Sequence, residues 1–224
     1  MSATEQPETQ RRWSPAYADI SPRREAKHRI ADQARELVHR IYQLETEAAD
    51  DEGLAAVEQR LSEVNALLGQ LPDLSRFGGA TSAPGEDSNL FERSPLTGRS
   101  NPLAAPLHLE FVGERTVGHA IYREAYEGPA NLVHGGVVIA AFDDLLGVAQ
   151  SASGLAGMTG TLTVRLRRPT PLHERIDYEA EVDRVEGRKI FVRGLSTLDG
   201  ELLAEAEGIF IAAPSGDIPT NPTT

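Results

Sequence analysis

Residues 128–144 read GPANLVHGGVVIAAFDD and are the most informative segment of the chain. A turn-forming segment ends in His134-Gly135-Gly136, and an almost wholly apolar segment begins at Val137. A segment that is apolar on every side is typical of a helix buried all round. It carries Asp143 and Asp144 in its middle, and burial of a carboxylate is unfavourable unless the group is paired, hydrogen-bonded or used. The stretch therefore predicts a central buried helix with a carboxylate that is paired, hydrogen-bonded or functional.

The start of this helix is suited to negative charge. The glycine pair lets the backbone approach whatever lies there, because neither residue carries a side chain. The first N–H groups of a helix lack intrahelical partners, and the positive end of the helix dipole adds to their effect. An oxyanion site beside a buried acid is a common arrangement in acyl-transfer hydrolysis.

A wider set of motifs resembles a known family. His134-Gly135-Gly136, with Asp143 nine positions after the histidine, resembles the hotdog-fold acyl-CoA thioesterases of the PaaI/THEM branch. The likeness continues in three stretches: TGTLTVRLRRPTPL (159–172), VEGRKIFV (185–192) and AEAEGIFI (204–211). It covers residues 95 to 213 in the right order and spacing. The resemblance implies a dimer with active sites at its interface, often paired into tetramers, and acyl-CoA hydrolysis without a metal or redox cofactor.

The second half of the chain alternates as strands do. Thr161, Thr163 and Arg165 would share one face of a strand, with the apolar residues between them on the other. Glu186-Gly187 and Asp199-Gly200 are suitable hairpin turns. Further strands are predicted at 107–112, 116–123, 176–186, 188–197 and 201–212. Strands, one long helix and more strands predict an α+β fold, and the resemblance makes it a hotdog fold, a curled antiparallel sheet around a long central helix.

The N-terminal third differs in kind. Ser21-Pro22 is a typical helix start, and two heptad-like stripes predict a helical hairpin over 21–71 whose stripes pack on each other or on the main domain. The stripes are Ile30, Ala34, Leu37, Ile41 and Leu44, then Leu54, Val57, Leu61, Val64, Leu68 and Leu71. The remaining predicted segments are a disordered tail (1–20), a linker rich in Pro, Gly and Ser (72–106), the hotdog domain (107–213) and a flexible C-terminal tail (214–224).

Composition excludes several classes of function. The chain has no cysteine, so disulfides and thiolate chemistry are excluded, and its histidines lack metal-ligand spacing. A net charge of −12 disfavours nucleic-acid binding. No apolar run approaches the roughly 20 residues of a membrane span, so no transmembrane segment is expected. Residues 1–12 are polar and lack a signal core, which predicts a cytoplasmic location.

Basic residues concentrate locally in this acidic chain. Residues 160–195 hold eight basic and six acidic side chains. Such an island is where a phosphate-bearing ligand would dock, and arginine suits phosphate through its planar set of donors. The candidates for the phosphates of coenzyme A are Arg165, Arg168, Arg188 and Lys189, although charged residues on strands are often simply solvated.

The spacing of the candidate site predicts that two chains build it. Asp143 lies eight residues after Gly135, about 12 Å along a helix at about 1.5 Å per residue. An oxyanion donor and an attacking group must both lie within about 3 Å of the reacting atoms. One chain therefore cannot supply both to the same thioester. Two antiparallel helices across a dimer axis would bring Gly135 of one chain near Asp143 of the other.

Each candidate residue receives a role. Asp143 would attack the thioester carbonyl or act as general base on a water, and the Gly135 N–H would polarise the thioester oxygen. His134 would hold the loop and the ligand, and the resemblance implies that Thr159 orients the attacking group. Asp144 is a rival acid, about 100° around the helix from Asp143.

Two further positions concern the loop before the helix. Some relatives carry an amide side chain six positions before the histidine, where this chain has Gly128. Asn131 is closer to the histidine and would be the substitute for that amide.

The predicted function is hydrolysis of acyl-CoA to free acid and coenzyme A. Members of the branch act on either aryl-acetyl or fatty acyl thioesters, and medium or long fatty chains are favoured slightly here. Two alternatives stay open: a non-catalytic acyl-CoA binder on the same fold, and an interaction protein that uses its hairpin to recruit a partner. The role of the hairpin, the choice of dimer or tetramer and the pathway do not follow from the sequence.

Overall fold

The computed structural model describes residues 20–72, 91–155 and 157–212. The predicted terminal tails lie outside these residues, apart from Ile20, as does the first part of the predicted linker, 73–90. The described residues nevertheless include both N-terminal helices and nearly the whole of the predicted hotdog domain.

One antiparallel sheet of six strands curls around one long helix. The strands are β1 (His108–Val112), β2 (Arg115–Ile121), β3 (Gly157–Leu166), β4 (Arg175–Glu186), β5 (Lys189–Leu198) and β6 (Glu201–Ala212). Their order in the sheet is β1-β2-β4-β5-β6-β3, so β1 and β3 are the edge strands. The bounds agree closely with the five predicted ranges and with the alternating stretch at 161–167. The α+β hotdog prediction is thus confirmed.

The central helix is α3 (Gly135–Ala149), which begins where the His-Gly-Gly motif predicts. Its inward side chains are fully buried among strand residues, with Phe142, Leu145 and Leu146 inaccessible to solvent. Glycines let the sheet come this close: a Cβ at Gly194 of β5 would lie 2.9 Å from Leu146 Cδ2. The stretch Gly135–Ser153 has the length and composition of a membrane span, yet half of it is buried in the domain as a core helix.

Two helices precede the domain, as predicted. Helix α1 (Pro22–Tyr42) begins with Pro at N1, and the Ser21 hydroxyl caps it by accepting a hydrogen bond from Arg24 N at 3.2 Å. Helix α2 (Asp51–Leu68) is capped by Asp50, whose carboxylate accepts from Gly53 N at 2.6 Å. The acidic break in the sequence thus supplies the cap and first turn of α2.

The packing predicted for these helices is wrong. Helix α1 docks on the domain through a largely polar face, on which Arg24, His28 and His39 are buried. The ends of its apolar stripe are exposed, with Ile30 49% and Ile41 55% exposed, and Ala34 and Leu37 between them are half-buried. No residue of α2 is buried. The apolar stripes of both helices therefore remain open within one chain, because polar partners on the domain hold α1.

The second part of the predicted linker is packed structure. Residues 91–106 contain a 3₁₀ turn at Phe91–Arg93 and bury Glu92 completely, together with Ala104 and Ala105. The Pro, Gly and Ser content that suggested a linker here builds turns. The hydroxyls of Ser94 and Thr97 in this segment donate hydrogen bonds to Asp144. Residues 91–100, called the strap from here on, lie between α1 and α3.

Candidate active site

The loop before α3 is held on both sides. Val133 N donates to Thr170 O and His134 N to Tyr126 O, each at 2.8 Å. These bonds anchor the end of the loop to two separate segments of the domain. The loop therefore delivers the start of α3 in a fixed position.

Gly128 is needed for this loop to close. A Cβ at this position would lie 2.8 Å from His134 Cα, closer than real side chains come. A side chain does not fit there in this conformation of the loop. Asn131, the proposed substitute, is exposed in a left-handed conformation (φ 63°) that asparagine tolerates well. Its backbone N–H donates to Glu127 Oε1 at 2.6 Å.

His134 caps α3. Its Nδ1 accepts a hydrogen bond from Gly136 N at 3.0 Å, and the ring is exposed. An acceptor at Nδ1 means that the neutral ring carries its proton on Nε2, an assignment that follows from the hydrogen bond. His134 thus presents an N–H donor at the open end of the helix. Gly135 follows as the first helical residue, whose N–H has no intrahelical partner.

Asp143 and Thr159 lie in contact within one chain. Thr159 Oγ1 donates to Asp143 Oδ1 at 3.0 Å, and both side chains are exposed. A register irregularity between Thr159 and Thr161 places a bulge at Gly160 in β3. A bulge changes the direction of neighbouring side chains, and this one lies beside the contact. The carboxylate is therefore oriented but remains accessible.

Asp144 has a different surrounding. Its Oδ2 accepts hydrogen bonds from Ser94 Oγ at 2.6 Å and Thr97 Oγ1 at 2.9 Å, both on the strap. Burial raises the pKa of this carboxyl above its ordinary value, and the two hydroxyls oppose that shift. The geometry separates the two acids: Asp144 fastens the strap to α3, and Asp143 lies on the open side.

The open side of α3 forms a stripe. Gly136, Ile139 and Asp143 are exposed at helical spacing, whereas the rest of the helix is largely buried. Strand β3 runs alongside this stripe. Its Leu166 Cδ1 lies 3.3 Å from a Cβ built at Gly135, and its Thr159 contacts Asp143. Gly135 and Asp143 thus lie at opposite ends of one exposed surface.

The four candidate cations fall into two groups. Arg165 and Arg168 lie near the end of β3 and pair with acids of β6 or its turn: Arg165 with Glu207 at 3.3 Å, and Arg168 with Glu201. These acids lie beyond the basic island counted in the sequence, so the island is less basic in the fold than in the chain.

The other two cations lie at the far end of the sheet. Arg188 Nε donates to Ala212 O at 2.8 Å, and Lys189 is exposed beside it. Lys189 is in register with Ile211, which pairs with Met158 of β3. Arg165 lies seven residues along β3 from Met158, about 23 Å at about 3.3 Å per residue. The structure does not bring the four cations of one chain together.

Residues that the sequence did not single out also contribute. Ser94 and Thr97 hold Asp144, and Tyr42 OH donates to Glu127 Oε2 at 2.6 Å, next to the loop that leads to His134. Nothing local in the sequence marks these contacts, because the partners are 47 to 85 residues apart. Among residues 20–72, 91–155 and 157–212, no group of three His, Asp or Glu side chains is placed to hold a metal ion.

The chain is similar to proteins of one superfamily. Residues 130–202 match the family model of the thioesterase superfamily. The crystal structure of a thioesterase superfamily protein superposes with a TM-score of 0.71 at 30% identity, covering 83% of this chain and 94% of that one. Since residues 107–212 make up less than half of this chain, that match extends into the N-terminal part.

Curated relatives match over a shorter region. Acyl-coenzyme A thioesterase THEM4 of Bos taurus is 36% identical over 87 residues, which are 38% of this chain and 35% of that protein. THEM4 of Xenopus laevis is 36% identical over 89 residues, 38% of this chain and 39% of that protein. The matched region thus spans little more than a third of the length of these relatives.

Proposed function

The chain belongs to the thioesterase superfamily, and we propose that it hydrolyses acyl-CoA thioesters to free carboxylic acid and coenzyme A. The observation that carries the proposal is the hydrogen bond from Thr159 Oγ1 to Asp143 Oδ1. It orients an exposed carboxylate on an otherwise buried helix. The THEM4 relatives are named acyl-coenzyme A thioesterases, which supports the same substrate class.

Asp143 supplies the attacking group in one of two ways. As a nucleophile, a carboxylate oxygen bonds to the thioester carbon, the C–S bond breaks, and the coenzyme A thiolate leaves and takes up a proton. Water then hydrolyses the anhydride and frees Asp143. As a general base, Asp143 takes a proton from a water whose oxygen adds to the same carbon. Either way, the bond from Thr159 occupies Oδ1 and leaves Oδ2 for the reaction.

The oxyanion that forms in either route needs a donor. The Gly135 N–H lies at a helix N-terminus, where donors and dipole favour negative charge. It is about 12 Å from Asp143 of the same chain at about 1.5 Å per residue. We infer that the donor for each Asp143 is Gly135 of the partner subunit, and that His134 of the partner subunit, next to that glycine, binds the same ligand through Nε2–H. On this proposal the working enzyme is a homodimer or a tetramer.

The edge strand β3 suits such a dimer. Edge strands offer unpaired backbone groups, and β3 has exposed residues along most of its length. If β3 pairs antiparallel with its copy, the Gly135 end of one chain meets the Asp143 end of the other. The same pairing brings Arg165 and Arg168 of one chain towards the Arg188 and Lys189 end of the other. The four cations, divided within one chain, would then surround the coenzyme A phosphates together.

The acyl group is proposed to be a medium or long fatty chain. Ile139 is 42% exposed one turn before Asp143, and Met158 is 59% exposed next to Thr159. Two large apolar side chains beside the reacting carboxylate favour an aliphatic acyl group. An aryl-acetyl group is the competing substrate class.

Coenzyme A release from acetyl- through palmitoyl-CoA, and from phenylacetyl-CoA, tests the proposal. We expect turnover on the longer fatty chains, and a loss of at least about 100-fold in Asp143→Asn, because general-base or nucleophilic catalysis typically contributes that much or more. Asp144→Asn is the matched control and should keep turnover. Tight binding of acyl-CoA without turnover would refute the proposal in favour of a binding protein. Turnover that survives Asp143→Asn would refute the assignment of the acid.

A further inference from the structure

The two N-terminal helices leave an apolar surface uncovered. Among the described residues, 19 large hydrophobic side chains are exposed, and ten of them lie between Ile30 and Leu71. Exposed apolar surface concentrated in this way marks an interaction site. In α2 the stripe runs from Leu54 to Leu68 and continues past the end of the helix to Leu71. In α1 it runs from Ile30 to Ile41 and continues past the end of the helix to Leu44. These two stripes are called the arm surface.

We propose that the arm surface binds the arm surface of a second copy of this chain, with α2 of one copy on α1 of the other. Within the helices the stripes have similar lengths: 14 residue steps from Leu54 to Leu68 of α2 and 11 from Ile30 to Ile41 of α1, about 21 and 17 Å at about 1.5 Å per residue. Both repeat with alternating spacings of three and four, the pattern of helices that pack side by side.

Charge favours this pairing over α1 with α1 or α2 with α2. Helix α1 has a net charge of +3, from six basic and three acidic side chains. Helix α2 has a net charge of −3, from four acidic and one basic side chain. Like pairs of helices would repel each other and unlike pairs attract. Under two-fold symmetry each α1 receives the partner's α2, and two unlike contacts form at once.

Within a single chain the arm surface stays largely exposed to solvent. Helix α1 is fixed to the domain by its polar face: Glu36 pairs with Arg123 at 2.6 Å, and Tyr42 binds Glu127. With α1 held in this way, Val38 and Ile41 remain exposed and no residue of α2 is buried. A second copy is the partner that supplies both an apolar stripe and the opposite charge.

Cysteine cross-linking tests the proposal directly, because the chain has no cysteine of its own. Full-length Ile30→Cys is mixed with Leu54→Cys and, separately, with Leu68→Cys, so that parallel and antiparallel pairings are both sampled. We expect an interchain disulfide in one mixture at least about ten-fold above that of Ile30→Cys with Ala55→Cys, which lies on the opposite face of α2. Equal cross-linking in all three mixtures would overturn the proposal, as would no cross-linking at all.

Sedimentation velocity gives a second measurement. Val57→Glu/Val64→Glu places two charges in the stripe and should weaken self-association at least about ten-fold, because a desolvated charge in an apolar interface costs about 1.4 kcal/mol or more. Ala55→Glu/Ser62→Glu adds the same charge on the opposite face and should leave association unchanged. Equal association of the two variants would overturn the proposal. Neither pair of substitutions lies in the candidate active site. Hydrolysis of acyl-CoA is therefore measured separately: its loss or retention tests the proposed function, and the change in self-association tests the arm surface.

Discussion

The assignment of separate tasks to the two adjacent acids predicts opposite effects of their removal. Asp144→Ala removes the acceptor of Ser94 Oγ and Thr97 Oγ1, whose residues are each 8% exposed. A buried hydroxyl left without a partner costs about 1–3 kcal/mol. Thr97 Oγ1 loses its acceptor outright, whereas Ser94 Oγ still accepts hydrogen bonds from Leu96 N and Thr97 N. Less the relief of no longer burying a carboxylate, the two losses come to about 2 kcal/mol in the free energy of unfolding. For a chain of this size the thermal midpoint should fall by roughly 4–8 °C.

Asp143→Ala should have the reverse profile. Its one hydrogen bond, to Thr159, lies on the exposed side of α3, so the loss of stability should stay below about 1 kcal/mol. Hydrolysis, however, should collapse in Asp143→Ala and persist in the folded fraction of Asp144→Ala. The assay is urea denaturation at one fixed protein concentration, since an oligomer's stability depends on concentration. Coenzyme A release is measured on the same preparations.

A double-mutant cycle identifies the cause of the loss. Thr97→Val removes one hydroxyl at nearly constant shape and should cost about 1 kcal/mol or more in the wild-type background. In the Asp144→Ala background the same change should cost little, because the hydroxyl has already lost its acceptor. Equal costs in the two backgrounds would show that Thr97 does not stabilise the fold through Asp144. A loss of stability in Asp143→Ala as large as that in Asp144→Ala would contradict the separate tasks of the two acids.

Three further predictions concern single positions. Burial raises the pKa of Asp144 above its ordinary value of 3.8, so the folded state keeps this proton to a higher pH than the unfolded state does. The stability advantage of wild type over Asp144→Asn should therefore be greatest near pH 4 and should decline as the pH rises through the raised pKa. Urea denaturation at several pH values measures this difference, and a difference that grows with pH contradicts the prediction. Gly128→Ala should lower kcat/KM about ten-fold or more, because its Cβ would lie 2.8 Å from His134 Cα, whereas Gly147→Ala meets no atom within 4 Å and should keep activity. Lys189→Ala should raise KM for acyl-CoA about three-fold, as expected for one exposed charged contact, and leave the N-acetylcysteamine thioester unchanged; an equal change for both substrates excludes a phosphate contact.

The sheet and the central helix follow from local sequence patterns. Alternation with a period of two marks the strands, and the apolar run after Gly135 marks α3, so the observed bounds lie close to the predicted ones. Asp199-Gly200 takes positive φ angles at both residues, as its turn chemistry predicts. These features depend on neighbours in sequence, and they are therefore readable from one chain.

The placement of α1 depends on distant residues and was not readable. Its apolar stripe predicts burial of Ile30 and Ile41, yet the structure buries His28 and His39 instead. His28 Nε2 lies 2.5 Å from Glu92 Oε1, and His39 Nδ1 lies 3.5 Å from a carboxylate oxygen of Glu124. These partners are 64 and 85 positions away in sequence, beyond any periodic signal.

The candidate site divides in the same way. The histidine, the glycine and Asp143 lie within ten consecutive residues, so a resemblance to known motifs identifies them together. Which of two adjacent acids remains open to solvent is a different question. It depends on Ser94 and Thr97, in a segment whose composition is that of a linker. Only the fold shows that Asp144 accepts hydrogen bonds from the strap and that Asp143 is exposed to solvent.

The N-terminal helices and the domain are coupled through buried charge. Glu92 of the strap is completely buried and has His28 of α1 and the Ser100 hydroxyl as partners. The same strap holds Asp144, the neighbour of the proposed catalytic acid, through Ser94. Removal of α1 would take away both the histidine that contacts Glu92 and the helix that carries this histidine against the strap. A truncation that deletes α1 therefore perturbs the strap and α3 as well, and the role of the arm has to be examined by surface substitutions in the intact chain.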